Sequence, residues 1–299
     1  MAERMAERTA ERIEHAPDLT ILRASNPSAM TLDGTRTYVL GTGRVAIIDP
    51  GPDDPEQLAA LAEIVGDRTV IAVLLTHAHA DHSALAGKAA REFGCPLSAS
   101  AETLSRLAGV AQGAGVAASP SREPLAAAMA LEDGGRVEIG DGLELTALAT
   151  PGHSADHFCY LEPAGRRLFT GDLVLGAGSS AILHPDGNVG ACLASLARLA
   201  ALRPAELLPG HGPPVADAQP RLAEYRKHRL AREAQIRAAL AAGATGVTEI
   251  RERVYGPLPP GLAWAADASV AAHLAALEER GEKVPDHEAF GVGGEEAPA

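Results

Sequence analysis

The sequence is poor in aromatic residues and cysteine, and it contains no long apolar run. Aromatic residues make up 3% of the 299 residues, and the only cysteines are Cys95, Cys159 and Cys192. An odd number of widely spaced cysteines predicts neither a disulfide framework nor a Cys-x-x-Cys site, so we expect buried thiols. No run of eighteen apolar residues and no apolar N-terminal leader is present, which predicts neither a membrane span nor a signal peptide. These absences favour a cytoplasmic protein.

Positive charge is also scarce. The sequence has 26 Lys and Arg against 39 Asp and Glu, a formal net charge of −13. Such a chain repels polyanions, so nucleic-acid binding would need a local basic patch or bound metal ions. With 46% hydrophobic and 22% charged residues, the composition is otherwise that of a globular protein with room for one large and one small domain.

The most informative stretch is an apolar run, residues 70–75, that leads into His-Ala-His-Ala-Asp-His. Neutral imidazole and carboxylate are ligands that Zn²⁺ accepts, and a loop leaving a rigid strand can aim alternate side chains at one point. His77 and His79 therefore predict one metal ion, and Asp81 and His82, which turn the other way, predict a second. A solvated histidine-rich loop is the less favoured alternative, because four ligand-type residues follow a single apolar run.

Three further ligand-type residues follow strand-like runs. His153, Asp172 and His211 come after apolar segments at 143–149, 166–170 and 206–208, each with glycine or proline beside it. Strand ends on one edge of a sandwich can meet in space, and small neighbours let the backbone approach a shared centre. Because hairpin, strand and helix recur in two halves, the sequence predicts two sheets packed face to face with helices outside, an α/β sandwich.

The regions that flank this sandwich are expected to differ from it. The Ala-Glu-Arg repeat has no apolar stripe, so residues 1–17 are predicted to be a flexible lead-in to a catalytic domain at 18–228. A long helix at 217–243, a helix at 262–280 and a turn into a strand at 281–284 predict a small winged-helix domain at 229–284. Residues 109–135 are predicted to form helical fragments and a mobile loop, and residues 285–299 a disordered tail.

The order of the ligand-type residues resembles the metallo-beta-lactamase superfamily, whose pattern His-x-His-x-Asp-His, His, Asp, His is met here without a gap. The resemblance implies a four-layer αββα sandwich and two zinc ions, with Mn²⁺ or iron left open. The implied first ion lies on His77, His79 and His153. The second lies on Asp81, His82 and His211, and Asp172 bridges both, as in the glyoxalase II and nuclease branches.

The chain after Asp172 narrows the resemblance. Gly171-Asp172-Leu-Val-Leu-Gly, Pro209-Gly-His-Gly-Pro and Tyr225-x-x-His228-Arg229, followed by a winged-helix tail, look like the lactamase-like protein 2 group. That group includes an endoribonuclease acting on single-stranded RNA, and related fungal proteins are polyketide thioesterases. The resemblance implies a binuclear hydrolase that uses a metal-bridging hydroxide, with Asp81 and Asp172 as catalytic residues.

The substrate stays open between single-stranded RNA, which the resemblance favours, and a small thioester or ester, which the acidic balance and scarce aromatics favour. A further alternative is a non-catalytic zinc-sensing regulator whose winged helix binds nucleic acid. The helix expected to read DNA carries Asp267, Glu278 and Glu279, which suit phosphate contacts poorly. A packing role, substrate gating and a homodimer surface therefore stay open for the C-terminal region.

Several neighbouring residues have two interpretations. Asp49 either orients a metal-ligating imidazole or caps a turn. Asp156 and His157 lie near His153 and are explained about as well by the start of a strand. Tyr225, His228 and Arg229 either reach substrate or pack onto the sandwich. Four histidines without a sequence partner are expected to be ordinary surface or core residues: His15, His184, His273 and His287.

Overall fold

The chain folds into two β-sheets packed face to face between two layers of helices. The structure is a computed structural model and describes residues 10–109, 127–259, 262–288 and 290. The first sheet contains seven strands in chain order: β1 (Glu11–Ala16), β2 (Leu19–Arg23), β3 (Arg36–Leu40), β4 (Arg44–Ile48), β5 (Thr69–Leu74), β6 (Leu97–Ser100) and β7 (Ala128–Leu131). Strands β1 to β4 pair antiparallel, and β4 to β7 pair parallel.

The second sheet contains five strands in the order β12-β11-β10-β9-β8. Their bounds are β8 (Arg136–Gly140), β9 (Leu143–Ala149), β10 (Phe158–Glu162), β11 (Arg167–Gly171) and β12 (Glu206–Pro209). Strand β12 pairs parallel with β11, and the remaining neighbours pair antiparallel. The predicted sandwich is therefore observed, with a seventh strand, β7, in the passage that was expected to be loop.

The helices cover the outer faces of the two sheets. They are α1 (Pro55–Val65), α2 (Ala80–Ser83), α3 (Ala86–Glu92), α4 (Ala101–Leu107), α5 (Val189–Leu202), α6 (Ala218–Ala241), α7 (Val247–Tyr255) and α8 (Ala263–Glu278). Helices α1, α3 and α4 share a core with the first sheet, and α5, α6 and α8 share one with the second. Among the described residues, none of the helices combines the length and apolar character that a membrane span requires.

Alternation along the strands separates the core between the sheets from the cores beneath the helices. In β3, Tyr38 and Leu40 face the second sheet, whereas Val39 faces α1 and its neighbours. In β4, Ile47 faces the helices and Ile48 faces the second sheet. Successive side chains of a strand point to opposite faces, so a strand buried on both sides is apolar throughout. This explains the continuous apolar runs before each ligand-type residue.

The N-terminal prediction was wrong for part of its range. Residues 11–16 form β1, which pairs with β2, and not a flexible lead-in. Its side chains are exposed or half-buried because β1 is an edge strand, so its polar composition gave no apolar alternation to recognise. Ile13 and Ala16 of β1, both partly buried, pack against the core between the sheets.

The helices of the predicted winged-helix domain are present, but the wing predicted at 281–284 is not. Helices α6, α7 and α8 are present, but residues 281–288 contain no strand, so the turn into a strand predicted at 281–284 was wrong. The predicted boundary at 228/229 falls inside α6. Leu222 and Tyr225 of this helix pack in the second-sheet core, whereas Ile236 packs with Ile250 in a separate C-terminal core.

The predicted tail and loop are only partly described. Residues 285–288 are ordered against the C-terminal helices, with His287 3% exposed and Phe290 packed on the C-terminal core, so the disordered tail was wrong there. Phe290 packs against the C-terminal core, a contact that the polar composition of the tail does not predict. Residues 291–299 lie outside the described residues, as do residues 110–126 of the predicted loop.

Candidate metal centre

The seven predicted ligand residues lie together at one edge of the sandwich. His77 and His79 follow β5, and the short α2 carries Asp81 and His82. The remaining three follow β9, β11 and β12 in turn: His153, Asp172 and His211. Strand ends from both sheets thus converge, as the sequence predicts.

The side chains form two adjacent groups. The ligand atoms of the first group lie within 4.8 Å of one another, and its members are His77, His79, His153 and Asp172. The same limit holds for the second group, which contains Asp81, His82 and His211. Within the first group His153 Nε2 lies 3.0 Å from His79 Nδ1, and within the second His211 Nε2 lies 3.1 Å from Asp81 Oδ2.

Asp172 lies between the two groups. Its Oδ2 is 3.7 Å from His153 Nε2 in the first group and 3.3 Å from His211 Nε2 in the second. Its Oδ1 is 3.4 Å from His82 Nε2. One carboxylate therefore reaches both groups, which is the arrangement a ligand shared by two ions requires.

Hydrogen bonds on the outer side of the imidazoles fix which nitrogen faces the centre. His153 Nδ1 lies 2.8 Å from the carbonyl oxygen of Ala181, which only accepts, so Nδ1 carries the proton and Nε2 offers a lone pair. His82 Nδ1 lies 2.9 Å from Asp49 Oδ2, so here too Nδ1 carries a proton and Nε2 is the nitrogen that faces the centre. Of the two interpretations of Asp49, the contact with an imidazole is the one observed.

Asp49 also organises the neighbouring loop. Its Oδ1 accepts from the backbone N–H of Thr76 at 2.8 Å, and its Oδ2 accepts from Thr76 Oγ1 at 2.7 Å. Since that hydroxyl proton is committed to Asp49, the Thr76 oxygen accepts from His77 Nδ1 at 2.9 Å, and His77 Nε2 is left facing the centre. Asp49 is buried and has a positive φ of 50°, so the backbone is held in a strained conformation to place it.

Donor atoms of the centre are buried without protein partners. Among the described residues, His77 Nε2 and His79 Nε2 are buried and form no hydrogen bond. Buried polar atoms are almost always paired, and unpaired imidazole lone pairs that converge with carboxylates are the donor set of a divalent cation. The residues therefore fit two metal ions.

Electrostatics separate the two groups. Burial and the neighbouring His153 lower the pKa of His79 to about 4, and burial holds the pKa of His77 well below its ordinary value. In the second group burial alone would lower the pKa of His211, but the Asp172 and Asp81 carboxylates outweigh it and raise that pKa to about 9. His77 and His79 thus present neutral imidazoles, the form that binds metal, whereas a cation in the second group would replace a proton between carboxylates.

A glycine is needed where two strand ends approach each other. A Cβ on Gly210, which precedes His211, would lie 2.5 Å from His82 Cε1 and 2.6 Å from Asp172 Oδ1. Real side chains do not tolerate such distances. The absence of a side chain at this position therefore lets the ligand residues close around the centre.

The polar neighbours of His153 support the loop that carries His77 and His79. Asp156 Oδ2 accepts from the backbone N–H of Ala78 at 2.8 Å and from Thr103 Oγ1 at 2.8 Å. His157 Nε2 accepts from the backbone N–H of Asp172 at 3.2 Å. The sequence does not distinguish these contacts of Asp156 and His157 from ordinary polar groups at the start of a strand, because nothing nearby in sequence indicates which distant backbone groups they contact.

The residues on α6 pack onto the sandwich. The Tyr225 hydroxyl accepts from the backbone N–H groups of Leu175 and Ser180 at 2.7 and 3.2 Å. Arg229 donates to the carbonyl oxygen of Ser180 and is 3% exposed. Of the two interpretations, packing is the one observed for these two residues. They hold the loop after Asp172, in which Ala181 binds His153.

Comparison with known proteins agrees with this geometry. The family model of the metallo-beta-lactamase superfamily matches residues 30–211. An atrochrysone carboxyl ACP thioesterase of Aspergillus chevalieri is 30% identical over 81% of this chain and 75% of its own. A beta-lactamase-like protein 2 homolog of Caenorhabditis elegans is 30% identical over 76% of this chain and 72% of its own.

Among solved structures, a metallo-beta-lactamase family protein of Thermus thermophilus is 26% identical, with a TM-score of 0.70 over 89% of this chain and 95% of its own. The similarity extends beyond the residues that the family model matches, and therefore includes C-terminal helices. With strand ends from two sheets bringing the ligand residues together, and with the match over residues 30–211, the chain belongs to the metallo-beta-lactamase superfamily.

Proposed function

We propose that this metal-dependent hydrolase cleaves a thioester or ester bond of a small acyl substrate. The position of Asp172 between the two groups is the observation that supports hydrolysis. Its carboxylate lies 3.7 Å from His153 Nε2 in one group and 3.3 Å from His211 Nε2 in the other. When bound, two divalent cations would lower the pKa of a shared water and polarise the carbonyl oxygen under attack. The proposed ligands are His77, His79 and His153 for one ion, Asp81, His82 and His211 for the other, with Asp172 shared.

Two arginines beside the centre are already paired with carboxylates, which favours a small acyl substrate over RNA. Arg36 follows Thr35, which hydrogen-bonds Asp81, and its guanidinium makes two hydrogen bonds to Asp33 at 2.8 and 2.9 Å. Arg106 makes two to Asp186 at 2.7 and 2.8 Å. Since both guanidinium groups are committed to carboxylates, they are poor phosphate ligands for a polyanion. The similarity to a protein named a thioesterase points the same way.

Single-stranded RNA is the second candidate. The similarity to a beta-lactamase-like protein 2 homolog favours it, because the sequence resembles that group. The regulator alternative is disfavoured because the helix expected to read DNA, α8, is buried in two cores and cannot enter a groove. We propose zinc as the metal, on the imidazole and carboxylate donor set, and a cytoplasmic location, which the three free buried cysteines fit.

We assign Asp81 the proton transfer. Its Oδ2 accepts from Thr35 Oγ1 at 3.0 Å and lies 3.1 Å from His211 Nε2, and its side chain is 28% exposed, more than that of Asp172. Burial alone would raise the pKa of Asp81, but the His82 and His211 imidazoles outweigh it and keep that pKa well below its ordinary value. An ionised carboxylate on the open side of the centre is placed to accept a proton as the substrate is attacked and to return it to the leaving group.

The test is metal analysis of the purified protein together with a panel of acyl-thioesters, esters, single-stranded RNA and a chromogenic beta-lactam. We expect two equivalents of zinc at this centre and turnover of the thioester. Because Asp81 is also a proposed ligand, Asp81→Ala is assayed at saturating zinc, where both ions are expected to stay bound and kcat to fall by about 10²- to 10⁴-fold, whereas the exposed Asp67→Asn is a matched control without effect. RNA cleavage without thioester turnover would shift the assignment to the second candidate, and an unchanged kcat of Asp81→Ala with both ions bound would refute the proton-transfer role.

A further inference from the structure

A second cluster of ligand-type side chains lies outside the binuclear centre. Glu278 at the end of α8 and His287 and Glu288 beyond it place one ligand atom each within 4.8 Å of one another. We refer to these three residues, with the neighbouring His184, as the C-terminal cluster. None of the four belongs to the superfamily pattern that runs from His77 to His211.

The imidazole of His287 is oriented as metal-bound histidines are. Its Nδ1 lies 3.2 Å from the carbonyl oxygen of Pro285, which only accepts, so Nδ1 carries the proton and Nε2 offers its lone pair. Nε2 lies 3.8 Å from Glu278 Oε2. This side chain is buried, at 3% exposure, although it is polar and lies next to an exposed segment. A carboxylate oxygen beside this nitrogen favours a cation there, whether a proton or a metal ion, and a metal ion needs further ligands nearby.

His184 is the second, independent observation. It is 8% exposed, and its ring forms no hydrogen bond within the part of the chain that the structure describes. Its Nε2 lies 3.9 Å from Glu288 Oε2, and its ring centroid lies 5.5 Å from that of His287. His184 is not one of the three residues whose ligand atoms all lie within 4.8 Å of one another, so it contacts Glu288 from beside them and is positioned to orient that carboxylate.

The distances between these imidazole and carboxylate groups suit a metal ion between them better than direct hydrogen bonds. Nitrogen and oxygen atoms that share a hydrogen bond stand at about 2.7–3.2 Å, and these pairs are longer, at 3.8 and 3.9 Å. Two ligands bound to one zinc at about 2.0–2.1 Å each can lie no further apart than about 4.2 Å. The pair of His287 and Glu278 falls between these limits, and the imidazole of His287 with two carboxylates makes a donor set that zinc accepts.

We propose that Glu278, His287 and Glu288 bind one divalent cation of the zinc type, with His184 orienting Glu288. Such an ion would connect the end of α8 with the segment after it, and the contact of His184 with Glu288 would extend this connection to the loop that follows Asp172. That loop contains Ala181, whose carbonyl oxygen orients His153, and His184 is also tied to α8 by a 3.1 Å bond from its N–H to the carbonyl oxygen of Ala268. The site is structural, and it is separate from the proposed hydrolysis.

The experiment is equilibrium dialysis of the full chain against micromolar zinc, followed by metal analysis. Glu278→Gln and Glu288→Gln each remove one ligand from a side chain that is 62% or 79% exposed, so neither endangers folding. We expect three equivalents in the wild type and a loss of about one in each variant. His287→Gln is expected to give the same loss. The control is Glu63→Gln, an exposed glutamate on α1, which lies on the opposite face of the sandwich.

Zinc content that is the same in Glu278→Gln, Glu288→Gln and Glu63→Gln would overturn the proposal. The melting temperature gives a second measurement: added zinc should stabilise the wild type more than Glu288→Gln, because an ion bound only by the folded state shifts the folding equilibrium. Equal zinc-dependent shifts would also contradict the site. Thioester turnover is read separately, so a failure of the proposed hydrolysis does not affect this result.

Discussion

The carboxylate of Asp49 lies 2.9 Å from Nδ1 of His82, an imidazole whose other nitrogen faces Asp172 and His211. Because the same carboxylate also binds the N–H and hydroxyl of Thr76, one buried side chain sets the orientation of two histidines from different parts of the loop. Groups that orient metal ligands in this way typically contribute about 10- to 100-fold to metal affinity.

Asp49→Asn tests this role. The amide keeps the size of the side chain but offers one acceptor in place of two, so His82 or Thr76 loses its partner. We expect zinc affinity to fall by about 10- to 100-fold, measured by competition with a chromogenic chelator. Asp53→Asn, on an exposed aspartate paired with Lys88, is the control. An unchanged affinity in Asp49→Asn would show that the packing of the loop alone orients the imidazoles.

Gly210→Ala is expected to damage the centre through sterics alone. The added methyl group would meet His82 Cε1 and Asp172 Oδ1 at 2.5 and 2.6 Å, so ligand residues must shift. Overpacking of this kind costs about 1–3 kcal/mol, and we expect zinc affinity to fall about tenfold or more. Gly246→Ala, where nothing lies within 4 Å of the added atom, should leave zinc affinity unchanged. Similar affinities in the two variants would contradict the geometry described at Gly210.

Asp156→Ala should loosen the loop that carries His77 and His79. The substitution leaves the buried N–H of Ala78 without an acceptor, which costs about 1–3 kcal/mol. We expect a lower melting temperature and weaker zinc binding together. Thr103→Val removes only the hydroxyl that also donates to Asp156, so its effect on zinc binding should be smaller. Equal losses in the two variants would assign the effect to packing around α4.

His273 is expected to make the folded state sensitive to acid. Burial, with the nearby Arg229 and Arg232 cations, lowers its pKa from 6.5 to about 3, and neither ring nitrogen has a hydrogen bond among the described residues. A depressed histidine pKa means that the unfolded chain binds the proton more readily, so the stabilisation is complete above pH 6.5 and is lost as the pH falls from there towards 3. The loss between about pH 7 and pH 5 is about 2 kcal/mol.

The measurement is the free energy of unfolding in urea at several pH values. In His273→Leu this part of the pH dependence should disappear, so the difference from the wild type should grow in favour of the variant as the pH is lowered. The His15→Gln variant changes a half-exposed histidine on β1 and serves as control. Parallel pH profiles for the wild type and His273→Leu would contradict the assignment.

The sequence predicts which residues meet at this edge because its signal is local and repeated. Each ligand residue follows an apolar strand, so strand ends alone place His77, His153, Asp172 and His211 at one edge. The residues that orient these side chains cannot be predicted from the sequence in the same way. Asp49 and Asp156 act on backbone and side chains far away in sequence, and either residue would have capped a turn equally well.

The errors have a common cause in weak burial patterns. β1 is an edge strand with exposed side chains, and β7 exposes all but Leu131, so neither shows the alternation of a half-buried strand. The wing was inferred from the arrangement of helices rather than from a strand-forming sequence, and the residues concerned stay irregular. His287 was expected to be an ordinary histidine, because its neighbours Glu278 and His184 come close only in the folded chain.

Helices α6 and α8 each contribute to two hydrophobic cores, and this affects how the protein unfolds. In α8, Ala272 and Ala276 belong to the second-sheet core, where α8 packs against α5 and α6, while Val270, Leu274 and Leu277 belong to the C-terminal core. Removal of the chain after residue 228 would therefore expose part of the core of the sheet that carries His153 and Asp172. The C-terminal helices thus form an outer layer of the hydrolase. We expect the protein to unfold as one cooperative unit, without an intermediate that keeps the centre and loses the helices.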